Sequence, residues 1–384
     1  MAQVAIIGVG QTPVGEHWDT SLRALAGDAI QAALADAGLR SVDALIVGNA
    51  YAPTISSQSQ LGALIADYAG LTGIEALTVE AGDASGGAAL RAGYLAVASG
   101  EVETALVVGV EKSTDMIGTA RTRARSVSLD ADYEAVHGAT LAAGAALLMR
   151  RYMFEYGLEL SAFEGFSINA HANGKNNANA MFRNQIKPGA FARAPMIADP
   201  VTLFDGAPDA DGAAAVVLTR LERALDLVPQ PVRIAASAAA TDTLALHERA
   251  DLLMLQAVAA STGKAYAQAN TSPANIDLFE LHDAFTILCA LSLESAGFAS
   301  RGEGWRLAAE GHINPQGRIP ISTFGGLKSR GNPVGAAGVY QAVEAVLQLR
   351  GAAGANQIEN ARTAMIQSLG GLGSTAFTHI LTIG

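Results

Sequence analysis

The sequence predicts an α/β protein with a duplicated core and a long insertion. Three observations carry this expectation. Short apolar runs bounded by glycine alternate with longer Ala/Leu-rich segments; the order of elements recurs in the second half without recurrence of the sequence; and the alternation lapses from Asp115 to about Ala198. The chain then divides into a first half of residues 1–114 and 199–230, an inserted loop region of 115–198, and a second half of 231–384.

Val4–Gly8 reads as a strand, Leu22–Ala37 as a helix, Ala44–Val47 as a strand, Leu61–Tyr68 as a helix and Leu77–Glu80 as a strand. A small-residue helix, Ser85–Ser99, and a strand, Thr104–Gly109, follow. In the insertion, Arg, Asn, Met and Phe are scattered through TARTRARSVSLDADY and HANGKNNANAMFRNQIKPGAFARAP. Regularity returns with strands at Asp211–Leu218 and Val232–Ala236, a helix at Leu246–Ala260, a strand near Ile276–Phe279 and a helix at Phe285–Ala296. A last helix, Ala336–Leu349, precedes strands at Thr363–Ser368 and Ser374–Thr382. Short apolar strands among helices are covered by those helices on their faces.

Composition excludes several functions. At 50% hydrophobic and 16% charged residues, the chain is too apolar for disorder. Acidic residues exceed basic ones by 36 to 25, and no basic stripe with interleaved aromatics occurs, which argues against nucleic acid. One Cys excludes an internal disulfide and a cysteine-cluster metal site, and the start MAQVAIIGVG enters a strand without a basic leader, so a cytoplasmic location is expected. Ala44–Ala66 and Thr363–Gly384 are uncharged, but polar residues, Pro and Gly interrupt them, and neither is expected to cross a membrane. GVGQTPVG lacks the spacing of a dinucleotide loop, and His171, His282, His312 and His379 are too scattered for a metal site.

Four blocks carry chemistry. VEAGDASGGAALRAG puts Asp83 at a sharp strand-to-helix turn, where backbone N–H groups favour developing negative charge; alternatively, Gly86 and Gly87 serve only close helix packing. LFELHDAF puts His282 and Asp283 at the corresponding turn of the second half. GGLKSRGNPVGAAG supplies a glycine-rich loop and an Asn332–Pro333 helix start, and SLGGLGS a tight turn between the last two strands.

In this order and spacing the blocks resemble the thiolase superfamily, in the branch of sterol-carrier-protein and archaeal thiolases, and the resemblance spans the chain. GVEK, NAHANGKNNANAMF and MIADPVTLFDGAPDADGAAAVVL support it, as does HDAF. It implies two βαβαβαββ halves in a five-layer αβαβα body, a homodimer, and coenzyme A thioesters as ligands with no bound metal. The departures are chemical. Thiolases use a nucleophilic cysteine, a G-H-P histidine and a second cysteine; the matching positions hold Asp83, Asn332 and Ser368. Cys289 lies one turn into a helix and reads as a core thiol. Attack by the Asp83 carboxylate on a thioester would give a mixed anhydride, of higher energy than the thioester, so Asp83 fits a general base better than a nucleophile.

The resemblance also implies two thioester-binding sites, one from His282 and Asn332, the other from the backbone N–H groups of Asp83 and Gly370. An oxyanion pocket without a thiol suits C–C cleavage or formation with no covalent intermediate, as in thiolase-like aldolases, which work with an OB-fold, zinc-ribbon acyl-CoA-binding partner. Tyr340 is then an acid/base candidate, against the alternative of buried helix packing. Two other expectations stand beside this one: a non-catalytic acyl-CoA-binding or scaffold subunit, and an acetyl-CoA acetyltransferase.

Overall fold

The computed structural model describes residues 2–383. Its first elements are β1 (Val4–Gln11), α1 (Leu22–Ala37), β2 (Ala44–Gly48), α2 (Ala52–Ile55), α3 (Leu61–Tyr68), β3 (Glu75–Val79), α4 (Ser85–Ser99) and β4 (Thr104–Lys112). The region after β4 holds α5 (Gly118–Arg125), α6 (Leu141–Tyr156) and α7 (Glu164–Gly174), then β5 (Met196–Ala198) and β6 (Val201–Thr202). Next come β7 (Asp211–Arg220), α8 (Leu221–Leu227), β8 (Val232–Thr241), α9 (Gln256–Ala269), β9 (Leu278–Glu280), α10 (Thr286–Ser295) and α11 (Gly304–Ala309). The chain ends with α12 (Ala337–Leu349), β10 (Thr363–Gly370) and β11 (Thr375–Thr382).

Local chemistry fixes several boundaries. The Ser21 hydroxyl accepts from the Ala24 N–H at 3.3 Å, and Gly38 closes α1 in the left-handed region at φ 66°. The two stretches weighed as membrane spans are instead β2 with α2 and α3, and the β10–β11 pair. Among the described residues no helix is long and apolar enough to cross a membrane.

The main sheet runs β3-β2-β4-β7-β1-β8-β11-β10-β9. Counted outward from the antiparallel β1–β8 junction, its arms repeat: β1, β7, β4, β2 and β3 are answered by β8, β11, β10 and β9. The fifth position of the second arm shrinks to one parallel bridge between Phe279 and Ile321. The expected duplication is therefore present.

Strand alternation builds the layers. Ala5 and Ile7 join Leu45, Val47, Leu106 and Val108 in a core with α1 and α3. Val4 and Ile6 face the other way and pack with Ile46, Val107, Ile234 and Ile366 around α4 and α12. Phe279, Met365 and Ile380 form a third core with α9 and α10. The order is α, β, α, β, α, the five layers expected.

Two elements differ from the sequence reading. The helix expected at Leu246–Ala260 is a short 3-10 turn, Leu246–Glu248, followed by a loop and then α9, which starts at Gln256. The HERAD segment cannot continue a buried helix face, because Arg249 turns inward and donates to the carbonyls of Thr243 and Leu372 at 3.0 and 2.9 Å. The inserted region is also more helical than a loop region: α6 is a capped 16-residue helix burying Leu141, Ala145, Leu148, Met149 and Tyr152.

Candidate active site

Asp83 lies in the turn between β3 and α4, two residues before the helix begins, and its side chain is buried. Ser85 tightens this turn, donating from its hydroxyl to the Gly82 carbonyl at 2.6 Å and accepting from the Ala81 N–H at 3.0 Å. The β10–β11 glycine turn abuts it: a Cβ on Gly82 would lie 3.7 Å from both the Gly370 Cα and the Gly371 N. The two turns expected to share a site, those of Asp83 and Gly370, are thus neighbours.

The Asp83 carboxylate is held by two donors that sequence reasoning missed. The Tyr51 hydroxyl donates to Oδ1 at 2.8 Å, and the Arg125 guanidinium meets Oδ2 at 3.3 Å. Arg125 lies over the Tyr51 ring, 5.8 Å from its centroid, and also pairs with Asp209, which in turn accepts from Arg121 Nε at 3.1 Å. Burial, reinforced by the Asp83 charge, raises the Tyr51 phenol well above its ordinary pKa, so it stays a neutral donor. In the sequence Arg121 and Arg125 stand in the inserted region without any local signal; their carboxylate partners lie in other segments.

His282 follows β9, and its side chain is fully enclosed. Among the described residues neither of its ring nitrogens has a hydrogen-bond partner. Burial lowers its pKa, so the ring is neutral, with one N–H donor and one acceptor free. Asn332 is fixed by its own loop: Oδ1 accepts from the Val334 N–H at 3.0 Å, its backbone N–H donates to Pro208 at 3.0 Å, and its backbone bridges to Asp209. Val334 takes φ 35°, an unusual conformation for a β-branched residue, and so stores strain beside Asn332.

Glu111, at the end of β4, ties this loop to the one after β2. Its carboxylate accepts from the backbone N–H groups of Ala50, Tyr51 and Gly335 at 2.9, 3.2 and 3.1 Å, and from the Asn49 amide at 3.0 Å. Burial pushes its pKa up to about 7 despite these donors.

Asn332 and Arg125 both line a cavity of about 1100 Å³ whose walls come from α5, the start of α6, residues 184–193, residues 201–209, and Ala284, Phe285 and Lys328. Its basic side chains are Arg121, Arg125, Lys187, Arg193 and Lys328, against one acidic residue, Asp209. His171 also lines it, stacked on Phe182 with ring centroids 6.3 Å apart. The cavity can take a long, partly apolar anion.

Two site expectations point elsewhere. Tyr340 lies in the core between the sheets, not on the cavity; its hydroxyl donates to the Thr12 carbonyl at 2.9 Å, and the Arg330 guanidinium covers its ring at 5.0 Å. It is held there because Gly212 lets the phenol approach the β7 backbone: a Cβ on Gly212 would lie 2.5 Å from the hydroxyl. Ser368 is buried on β10 and donates to Gln341 Oε1 at 3.0 Å; like Asp83, His282 and Gly370 it does not itself line the cavity. Cys289 is buried in α10, its Sγ directed to the Phe285 carbonyl at 3.6 Å, and burial raises its pKa.

Paired half-sheets around two central helices, with Asp83 and His282 buried at strand-to-helix turns and a basic cavity that Arg125 and Asn332 line, define a protein of thiolase architecture. The thiolase N-terminal domain family matches residues 4–195 and the thiolase C-terminal domain-like family residues 238–383. An acetyl-CoA acetyltransferase of Methanothermobacter thermautotrophicus is 42% identical over 384 residues, covering 100% of both chains. The 17-hydroxy-3-oxo-4-pregnene-20-carboxyl-CoA lyase of Mycobacterium tuberculosis is 31% identical over 91% of this chain and 92% of its own length. The solved structure of the Ltp2-ChsH2(DUF35) aldolase superposes with a TM-score of 0.87 at 26% identity, covering 99% of this chain and 98% of that one. The chain belongs to the thiolase superfamily, in its sterol-carrier-protein thiolase-like branch.

Proposed function

We propose that the chain binds an acyl-CoA thioester and makes or breaks a C–C bond beside its carbonyl without a covalent acyl-enzyme. Cleavage of a β-hydroxyacyl-CoA is the form its residues fit best. The observation that carries this is the Asp83 carboxylate, held by Tyr51 and Arg125 at the β3–α4 turn, together with a buried His282 without hydrogen-bond partners among the described residues, in a chain whose single thiol is buried in α10.

In this reading Asp83 takes the proton of the β-hydroxyl, the O–H pair becomes the new carbonyl, and the Cα–Cβ bond breaks. Its electrons enter the thioester enolate, whose oxygen accepts hydrogen bonds from His282 and the Asn332 amide. The proton on Asp83 returns to Cα, giving an aldehyde or ketone and a shorter acyl-CoA. Backbone N–H groups at Asp83 and Gly370 form the second oxyanion site, while Ser368 and Tyr340 support packing. The division into 1–114 with 199–230, 115–198 and 231–384 belongs to the same reading, the insertion supplying Arg121, Arg125 and a cavity wall. So do a cytoplasmic homodimer and an OB-fold, zinc-ribbon partner; for a partner of some kind, the likeness to the Ltp2-ChsH2(DUF35) aldolase is the support.

Aldehyde or ketone release from a panel of β-hydroxyacyl-CoAs, with and without a zinc-ribbon partner, tests the reading; no release from any of them in either format overturns the cleavage reaction. A second reading, acetyl transfer, is favoured by the 42% identity to the Methanothermobacter acetyltransferase. Thiolysis of acetoacetyl-CoA that survives Cys289→Ala and is lost in Asp83→Ala would establish it in place of the first.

A further inference from the structure

Arg125 is the residue of the inserted region that connects the cavity to Asp83. It lines the cavity, its terminal nitrogens pair with Asp83 and Asp209, and Asp209 bridges by its backbone to Asn332. Two carboxylates therefore fix the guanidinium between the Asp83 turn and the Asn332 loop. Its Nε, however, is buried and has no hydrogen-bond partner among the described residues. A buried N–H of this kind is ordinarily bonded to water or to a ligand.

We propose that Arg125 contacts the substrate and donates from Nε to the oxygen on the β-carbon of the acyl group. The assignment rests on the acyl-CoA reading above. With the thioester oxygen on His282 and Asn332, the acyl chain passes from the Asn332 side of the cavity toward Asp83, and Arg125 stands between them. A hydroxyl or keto oxygen satisfies the Nε–H; a plain alkyl chain buries it unpaired. The same guanidinium pairs with the Asp83 carboxylate next to the hydroxyl whose proton it takes. Because the donor is anchored by Asp83 and Asp209 before the ligand arrives, it discriminates by pairing rather than by shape.

Calorimetric titration with 3-hydroxybutyryl-CoA and with butyryl-CoA tests this. The native protein is expected to bind the hydroxy thioester at least ~10-fold more tightly. Arg125→Met is expected to erase that preference, bringing the ratio of the two affinities to within ~3-fold of unity. Arg125→Lys, which retains the charge but has no Nε–H donor, is expected to lose the preference too and serves if the methionine variant does not fold. Equal affinities in the native protein, or an equal loss for both thioesters in the variants, would overturn the role of Arg125 while leaving acyl-CoA binding intact. Failure of both thioesters to bind would overturn the acyl-CoA reading and the assignment with it.

Discussion

Gly338 on α12 lies against Gly87 on α4 so closely that a Cβ at position 338 would come 2.4 Å from the Gly87 N and 2.5 Å from Ser368 Oγ. Neither backbone nor the buried serine can yield that distance cheaply, since α4 and α12 are enclosed between the two arms of the main sheet. Gly338→Ala is expected to destabilise the fold by ~3 kcal/mol, read as a lowered denaturation midpoint with an unchanged slope. Gly263→Ala, at a helical site with open space around the added carbon, is the control and is expected to be neutral or stabilising.

Asp83→Asn retains the Tyr51 contact and removes the charge. Turnover is expected to fall by ~10²–10⁴-fold with acyl-CoA affinity little changed. Single-turnover kinetics beside calorimetry distinguish this from a binding defect.

Glu280 gives stability a predictable pH dependence. Its Oε1 accepts from the Thr323 N–H at 2.9 Å and from the Thr323 hydroxyl, and burial, with the Glu344 charge adding, pushes its pKa up to about 8. The unfolded carboxyl ionises at its ordinary pKa near 4.5, so between there and about 8 the folded chain retains a proton that the unfolded chain has lost. Its stabilising contribution is complete below pH 4.5 and declines as pH rises toward 8, by up to ~1.4 kcal/mol per pH unit. Glu280→Gln retains the acceptor without the proton, and denaturant titrations from pH 5 to 8 are expected to show a flatter profile.

Cys289→Ala is expected to leave acyl-CoA binding unchanged and to cost about 1 kcal/mol of stability. Correspondingly, iodoacetamide should label the native protein slowly and inhibit nothing. Rapid labelling with loss of binding would place the thiol at the cavity instead.

How much was legible in advance follows from where each signal lies. The bounds of α1 read directly from sequence because Ser21 and Gly38 mark them, and α4 because its small residues are contiguous. Asp83, His282 and Asn332 could be singled out as candidates from sequence because each stands at the edge of a local element. Tyr51, Arg125 and Asp209 did not, since they come from separate segments that only the folded chain unites. Tyr340 misled for the complementary reason: its neighbours in sequence are site-like, while its hydroxyl belongs to Thr12, 328 positions away. α9 was placed too early because the apolar run Leu252–Leu255 preceding it reads as part of a helix but is a turn packed into the core.

The β1–β8 junction has a consequence for how the chain is made. β1 emerges from the ribosome well before its sheet neighbours β7 and β8, which begin only at Asp211 and Val232. Until those later segments have been synthesised, an apolar strand of eight residues waits with both of its edges open. The centre of this molecule therefore closes late, by pairing distant segments, and a nascent chain arrested before residue 211 would be a natural client for a chaperone.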